Sequence, residues 1–221
     1  MLSINDAIRS RRSVRAFLPG PVPEQTLEAI FTLAQCAPSN CNTQPWTVHV
    51  VSGDACENLR QRLGQAALDP TAHAPDHPYD GKYSGVYRER QQDAAAQLHG
   101  AMGIAREDRA GRMRSVLRNF SFFGAPHAAF VFLPEPFGLR EAADCGMYVQ
   151  TLMLAMAAHG VASCPQTALS FHPAIVRAAL NVPPDQRLLL GISFGYEDPG
   201  ADANACRVGR AALEHSVAFH R

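Results

Sequence analysis

One stretch limits what this chain can fold into more than any other. Residues 139–159 read as a single long helix, and its second half runs "MYVQTLMLAMAAHGVA" from Met147 before Gly160 stops it. The helix is apolar on all sides, so it needs protein around its whole circumference. Gln150 and His159 interrupt the apolar run, and Arg140, Glu141 and Asp144 precede that run, so it reads as a buried helix and not as a membrane span. A chain of 221 residues with one sheet barely supplies that cover. A second copy packed against the helix does, which predicts a homodimer.

The other elements alternate around it. Residues 3–11 predict a short helix with Ile4, Ala7 and Ile8 inward. "PEQTLEAIFTLAQCA" (23–37) predicts a second, with Leu27, Ile30, Phe31, Leu33 and Ala34 on its inner face. "WTVHVVSG" reads as a strand, followed by a helix capped at Asp54. Residues 69–86, rich in Pro, Asp, Gly and Tyr, read as a long loop, and arginine-rich helical segments follow near 87–103 and 107–119. "GAPHAAFVFLPE" reads as a buried strand, "HPAIVRAALNVP" as a helix ended at Pro183, and "QRLLLGISFGYED" as a third strand before an extended tail. The order predicts an α+β fold: one domain over 1–221, with a helical insertion at about 69–118.

Composition removes several classes of function. Lys plus Arg and Asp plus Glu are 20 each, so nothing in the bulk charge favours nucleic acid or an anionic membrane. Six cysteines form neither C-x-x-C nor a metal spacing with histidines; Cys36, Cys145 and Cys164 read as small buried residues in a reduced, cytoplasmic protein. The N-terminus lacks the apolar run of a secretory signal. There is no Walker-type loop, no G-x-G-x-x-G after a strand and no H-E-x-x-H. His73 and His77 are four apart, but Pro75 and Pro78 deny them a helix, so no metal site is expected. Cys41 has no neighbouring base to activate it. What stays open is an organic, phosphate-bearing cofactor that carries its own chemistry.

Two features suit such a cofactor. "SRRSVRAF" sets Arg11, Arg12, Ser13 and Arg15 within five residues, and Arg207 and Arg210 lie near the other end of the chain. Brought together they make a phosphate site; kept apart they are two solvated basic patches, and spacing alone favours the patches. The loop "CAPSNCNTQPW" (36–46) is dense in neutral hydrogen-bonding groups. Ser39, Asn40, Asn42 and Gln44 match the pyrimidine edge and ribityl chain of a flavin, where carboxylates would oppose the anionic reduced ring.

"RRSVRAF" followed by "APSNCNTQPW", then "NFSFFGAP", "DCGMYVQTLMLAMAAHGVASCPQ" and "LLLGISFGYEDP…R", resembles the FMN-dependent nitroreductase family over nearly all the chain except 69–118. The resemblance implies a nitroreductase-like fold, a mostly antiparallel sheet flanked by helices, and an intertwined homodimer with FMN at the interface. It implies cofactor contacts from Arg11, Arg12, Ser13, Arg15, Arg207 and Arg210; from Pro38, Ser39, Asn40, Asn42 and Gln44, partly across the dimer; and from the turn Pro165, Gln166, Thr167 and Ala168 near the flavin N5. Asn40 stands where many relatives have Ser, and Thr167-Ala168 where Glu-Gly is common. It implies hydride transfer from NADH or NADPH and then to a small aromatic acceptor in ping-pong order, with no catalytic acid or nucleophile from the protein.

The insertion then reads as a lid. Tyr79, Tyr83, Tyr87 and Phe120 either stack on a planar acceptor or fill the lid's own core. Met113, Val116 and Leu117 form the inner face of its second helix, whose arginines are mainly solvated unless one of them binds a nitrobenzoate-like carboxylate. Two other readings stand beside the nitroreductase: a reductase or reductive dehalogenase of another small acceptor, and an FMN-storing or sensing protein without turnover.

Overall fold

Alternation along the stretch "HAAFVFLP" decides how the sheet is covered. In the computed structural model, which describes residues 2–221, the elements run α1 (Ile4–Ser10), α2 (Glu24–Ala34), β1 (Thr47–Ser52), α3 (Gly53–Ala66), α4 (Gly85–Ala101), α5 (Arg109–Leu117), β2 (His127–Pro134), α6 (Leu139–Ala158), β3 (Ala162–Gln166), α7 (Pro173–Leu180) and β4 (Gln186–Gly195). The strands form one antiparallel sheet in the order β1-β2-β4-β3. Ala128, Phe130 and Phe132 of β2 point to a core shared with α3 and α7 (Leu59, Leu63, Val176). Ala129, Val131 and Leu133 point to a second core under α2 and α6 (Ile30, Ala34, Leu152, Met156). Side chains in a strand alternate faces, so a strand apolar at every position needs a core on each side. Each buried Phe contributes on the order of 2–3 kcal/mol. The α+β class read from the sequence holds.

One chain covers most of α6. Cys145, Tyr148, Val149, Leu152, Met153, Ala155 and Met156 are buried, and Asp144 beside them; a strip of Ala143, Gly146, Met147 and Gln150 is left open. Gly160, at φ 72°, takes the left-handed turn that ends the helix, and Val161 returns its N–H to the Met156 carbonyl at 2.9 Å. The chain passes directly into β3.

Several expectations need correction. α3 begins at Gly53, with Asp54 inside its first turn and not at the cap. α7 ends on Asn181 in the left-handed conformation, before Pro183 is reached. "QRLLLGISFG" is the fourth strand, because "ASCPQ" is itself a strand; five residues with a proline carry almost no period-2 signal. Ile4, Ile8, Leu33, Met113 and Val116 are exposed, as is Cys36. Among the described residues no helix is long and apolar enough to cross a membrane.

One buried histidine makes the fold sensitive to acid. His127, 2% exposed, accepts the Val22 N–H through Nε2 at 2.9 Å, so Nδ1 carries the hydrogen and faces Ser52 Oγ at 2.6 Å. Burial lowers its pKa below the usual 6.5, as it does for His49, His77 and His172. Below about pH 6.5 the unfolded chain takes up protons that the folded one refuses, so stability falls as pH drops through that window. Thermal melting at pH 7.5, 6.5 and 5.5 should show Tm declining, and His127→Gln should flatten the decline. One such histidine accounts for at most about 1.4 kcal/mol per pH unit.

Candidate functional site

The two ends of the chain are laid side by side. After α1, residues 11–18 run extended, with the Val14 N–H on the Ser163 carbonyl of β3 at 3.1 Å and the Leu18 N–H on the Tyr196 carbonyl at 2.9 Å; the Asp198 N–H returns to Ala16 at 3.1 Å. Asn204, 4% exposed, fastens the pair. Its Oδ1 accepts the Arg15 N–H at 2.7 Å, and its Nδ2 donates to the Ala16 and Asp198 carbonyls at 2.8 and 2.9 Å. This crossing builds a hollow of about 810 Å³ lined by Arg11, Arg12, Ser13 and Arg15 from one end, Arg207 and Arg210 from the other, with Gln150 of α6 and Ala94 of α4.

The hollow is strongly cationic. Arg12 is neutralised by an ion pair with Glu197. Among the described residues no carboxylate pairs with Arg11, Arg15, Arg207 or Arg210. Arg207 and Arg210 reach only nearby carbonyls, those of Asn204 and Cys206 and of Val208 and Gly209. Burial, and then the charge of Arg210, lower the pKa of Arg11. Arg12 Nε is buried without a partner. In a neutral chain such a concentration of like charge is favoured only if an anion shares it, and guanidinium forks beside a hydroxyl suit phosphate oxygens. Beneath them Cys164 is buried, and burial pushes its thiol up to about 11 despite Arg15, Ser13 and Arg11, so it is an inert packing residue.

Of the residues expected in a turn, Pro165 and Gln166 are the last two of β3, and Thr167 and Ala168 begin the single helical turn that leaves it. The Gln166 side chain faces inward: Nε2 donates to the Asn119 carbonyl and Oδ1 at 3.0 and 3.2 Å, and Ser193 donates to Oε1. Gln166 is buried and paired with Gly191 of β4, so its side chain is spent inside the fold, whereas Thr167 is exposed. Gly191-Ile192-Ser193-Phe194-Gly195 also matches the G-x-S-x-G pattern of a hydrolase nucleophile. Ser193 is no nucleophile: it is 0% exposed, in mid-strand, with its hydroxyl spent on Gln166.

The amide loop does not line the hollow within one chain. It is held against α6, where buried Asp144 accepts the Asn40 N–H at 3.1 Å, while Ser39 Oγ accepts the Gln44 N–H at 2.9 Å and Trp46 stacks on Tyr148 at 4.8 Å. Cys41, Asn42 and Gln44 all adopt positive φ, 48° to 56°, a conformation costing about 1–3 kcal/mol per residue and kept chiefly at functional sites. Asn40, Asn42, Gln44 and Pro38 present themselves to the outside, and Ser39 is half-buried.

In the segment 69–118, Tyr79, Tyr83 and Tyr87 are 46%, 48% and 64% exposed, and Tyr79 stacks on Phe171 at 6.0 Å. Phe120 is a correction: at 3% exposure it lies in the core and offers no face to a ligand. It follows α5 directly, where the chain turns inward. The loop before α4 is pinned by Asp76, which pairs with Arg177 and accepts the Leu188 N–H at 2.7 Å. Sequence reasoning missed Asp76, Asp144, Asn204 and Arg118, all of which act on distant backbone. The one faint signal is Asn204, a lone amide among alanines near Asp198-Pro199-Gly200.

An α+β chain whose two termini cross to make an arginine-lined hollow beside an antiparallel sheet is a flavoprotein-like architecture. The chain belongs to the Nitroreductase family, whose model matches residues 8–196. It is 49% identical over 220 residues to nitroreductase NfnB of Mycolicibacterium smegmatis, covering 97% of this chain and 91% of the relative. It is 35% identical to a 4-nitrobenzoate reductase of Pseudomonas putida, covering 97% and 95%. The solved structure of the FMN-dependent nitroreductase NfnB from Mycobacterium smegmatis in complex with NADPH superposes with a TM-score of 0.94 at 47% identity, covering 98% and 97% of the two chains.

Proposed function

We propose that the protein is an FMN-dependent NAD(P)H oxidoreductase that reduces nitroaromatic compounds. The hollow where Arg11, Arg15, Arg207 and Arg210, which have no acidic partner among the described residues, meet Ser13 carries the reading, because it fits the phosphate of FMN and is built from both ends of the chain. Arg11, Ser13, Arg207 and Arg210 hold the phosphate, with Arg12 contributing backbone while its side chain braces Glu197. Arg15 lends charge to the ring edge, and the 165–168 segment offers backbone N–H groups. Bound FMN supplies the hydride chemistry; the chain's own groups bind, orient and stabilise charge.

The working unit on this reading is a homodimer. The open strip of α6 (Ala143, Gly146, Met147, Gln150) reaches the hollow at Gln150, as α1 does at exposed Ile8, and a second copy there covers the apolar surface. Ser39, Asn40, Asn42, Gln44 and Pro38 then reach the flavin from the other copy, which accounts for their outward placement and left-handed backbone. The 69–118 insertion serves as lid, with Tyr79, Tyr83 and Tyr87 to stack on the acceptor. Six free thiols agree with a reducing cytoplasm. Donor and acceptor take the same open face in turn, the ping-pong order, and both nucleotides are tested because no ribose-reading residue stands out.

The purified protein should be yellow, bleach with NADPH or NADH under nitrogen, and recolour with 4-nitrobenzoate or nitrobenzene. A yellow protein that neither nucleotide bleaches supports storage in place of turnover. Equal rates with the acid and the neutral nitroarene remove the carboxylate-binding arginine.

A further inference from the structure

The residue that follows α5 touches the site from an unexpected side. Arg118 donates from Nη2 to the Arg15 carbonyl at 2.6 Å, while the Arg15 N–H is held by Asn204 at 2.7 Å. The Arg15 backbone is therefore clamped at both of its polar groups, and its own Nη1 reaches the Ser13 carbonyl at 3.3 Å. Arg118 is itself half-buried with its guanidinium over the Phe123 ring at 5.8 Å, and burial lowers its pKa. The next residue, Asn119, presents its carbonyl and Oδ1 to Gln166 Nε2, and Gln166 is the last residue of β3, directly before Thr167. Among the described residues Arg118 has no acidic partner. A half-buried cation spent on a backbone carbonyl, with no acidic partner among the described residues, gives up part of its hydration to hold that backbone in place.

We propose that Arg118 and Asn119 are positioning residues that tie the end of the insertion to both backbone segments facing the flavin, and so set the reactivity of the redox site. The inference rests on the functional reading above. Arg118 fixes where the Arg15 guanidinium stands, and Asn119, through Gln166, fixes the direction of the Thr167 amide. Movement of α5 on closing over an acceptor is thereby felt at two places on the ring edge. Neither residue lines the hollow within one chain, and each acts here through another residue, Arg118 through the Arg15 backbone and Asn119 through Gln166.

The test uses the FMN-loaded protein and three variants, Arg118→Met, Arg118→Lys and Asn119→Ala, read by the midpoint potential of bound flavin, Tm, and the separate kcat and KM for NADPH and for 4-nitrobenzoate. Arg118→Met should lower the potential by about 30 mV, a tenfold loss of preference for the reduced flavin. It should slow flavin reduction about tenfold, with KM for the nitroarene little changed. Arg118→Lys should recover part of both, and Asn119→Ala should lower the rate less. A potential identical to wild type in Arg118→Met, with only Tm reduced, overturns the proposal and leaves the proposed function standing. If Arg118→Met does not fold, the lysine and Asn119 variants decide by the same readings. Wild-type protein that takes up no FMN overturns both.

Discussion

Removing Arg11 and Arg207 together should abolish retention of FMN through purification. The two guanidiniums come from opposite ends of the chain and line one hollow, with no acidic partner among the described residues. Charge-assisted hydrogen bonds to a phosphate are the strong kind. Arg11 is the more buried of the two and should cost up to about 100-fold in affinity when replaced by Ala; Arg207, more exposed, about tenfold. The double variant should therefore lose about a thousandfold. Coupling between neighbours can move that figure either way. Fluorescence titration of apoprotein with FMN reads it, with Tm as control. Wild-type affinity should also fall with added salt, and the double variant should show a shallower dependence. Double-variant protein that copurifies with a full complement of flavin removes the phosphate site, and with it the ground for the functional reading.

The sequence was most readable where a local pattern has one physical meaning. "HAAFVFLP" could only be a strand covered on both faces, and the run after Met147 could only be a buried helix. The clustered arginines told of an anion site only once the family resemblance was added; spacing alone favoured two separate patches. What joins them is Asn204, whose three hydrogen bonds run to residues 15, 16 and 198. No periodicity reports a side chain that serves backbone 189 positions away. Strand β3 escaped because its proline and length mimic a turn. The exposure of Met113 and Val116 is a different case: helical spacing marks a face as apolar, but does not say whether the same chain covers it. Phe120 was misplaced because an aromatic at the edge of an insertion looks the same in sequence whether it turns outward or into the core.

Replacing Arg15 should separate binding from chemistry. Its backbone is fixed between Asn204 and Arg118, so its guanidinium stands on a rigid base, half-buried at the wall of the hollow. A fixed cation in a partly dry site stabilises negative charge that develops during reaction far better than one in water, by about 2–4 kcal/mol. Arg15→Ala should then slow flavin reduction by NADPH about 30- to 1000-fold, while phosphate-end affinity, which the proposed site assigns to Arg11 and Arg207, falls much less. Arg15→Lys keeps charge without the planar fork and should lie between the two. Rapid mixing under nitrogen, following loss of flavin absorbance at saturating NADPH, measures the rate directly. If Arg15→Ala reduces its flavin as fast as wild type, the charge on the ring edge comes from elsewhere. If instead it merely loses FMN, Arg15 belongs to the phosphate group of arginines. A slow rate with flavin still bound is the one outcome that assigns Arg15 to the anionic reduced ring, since only that state carries the extra charge it is placed to meet.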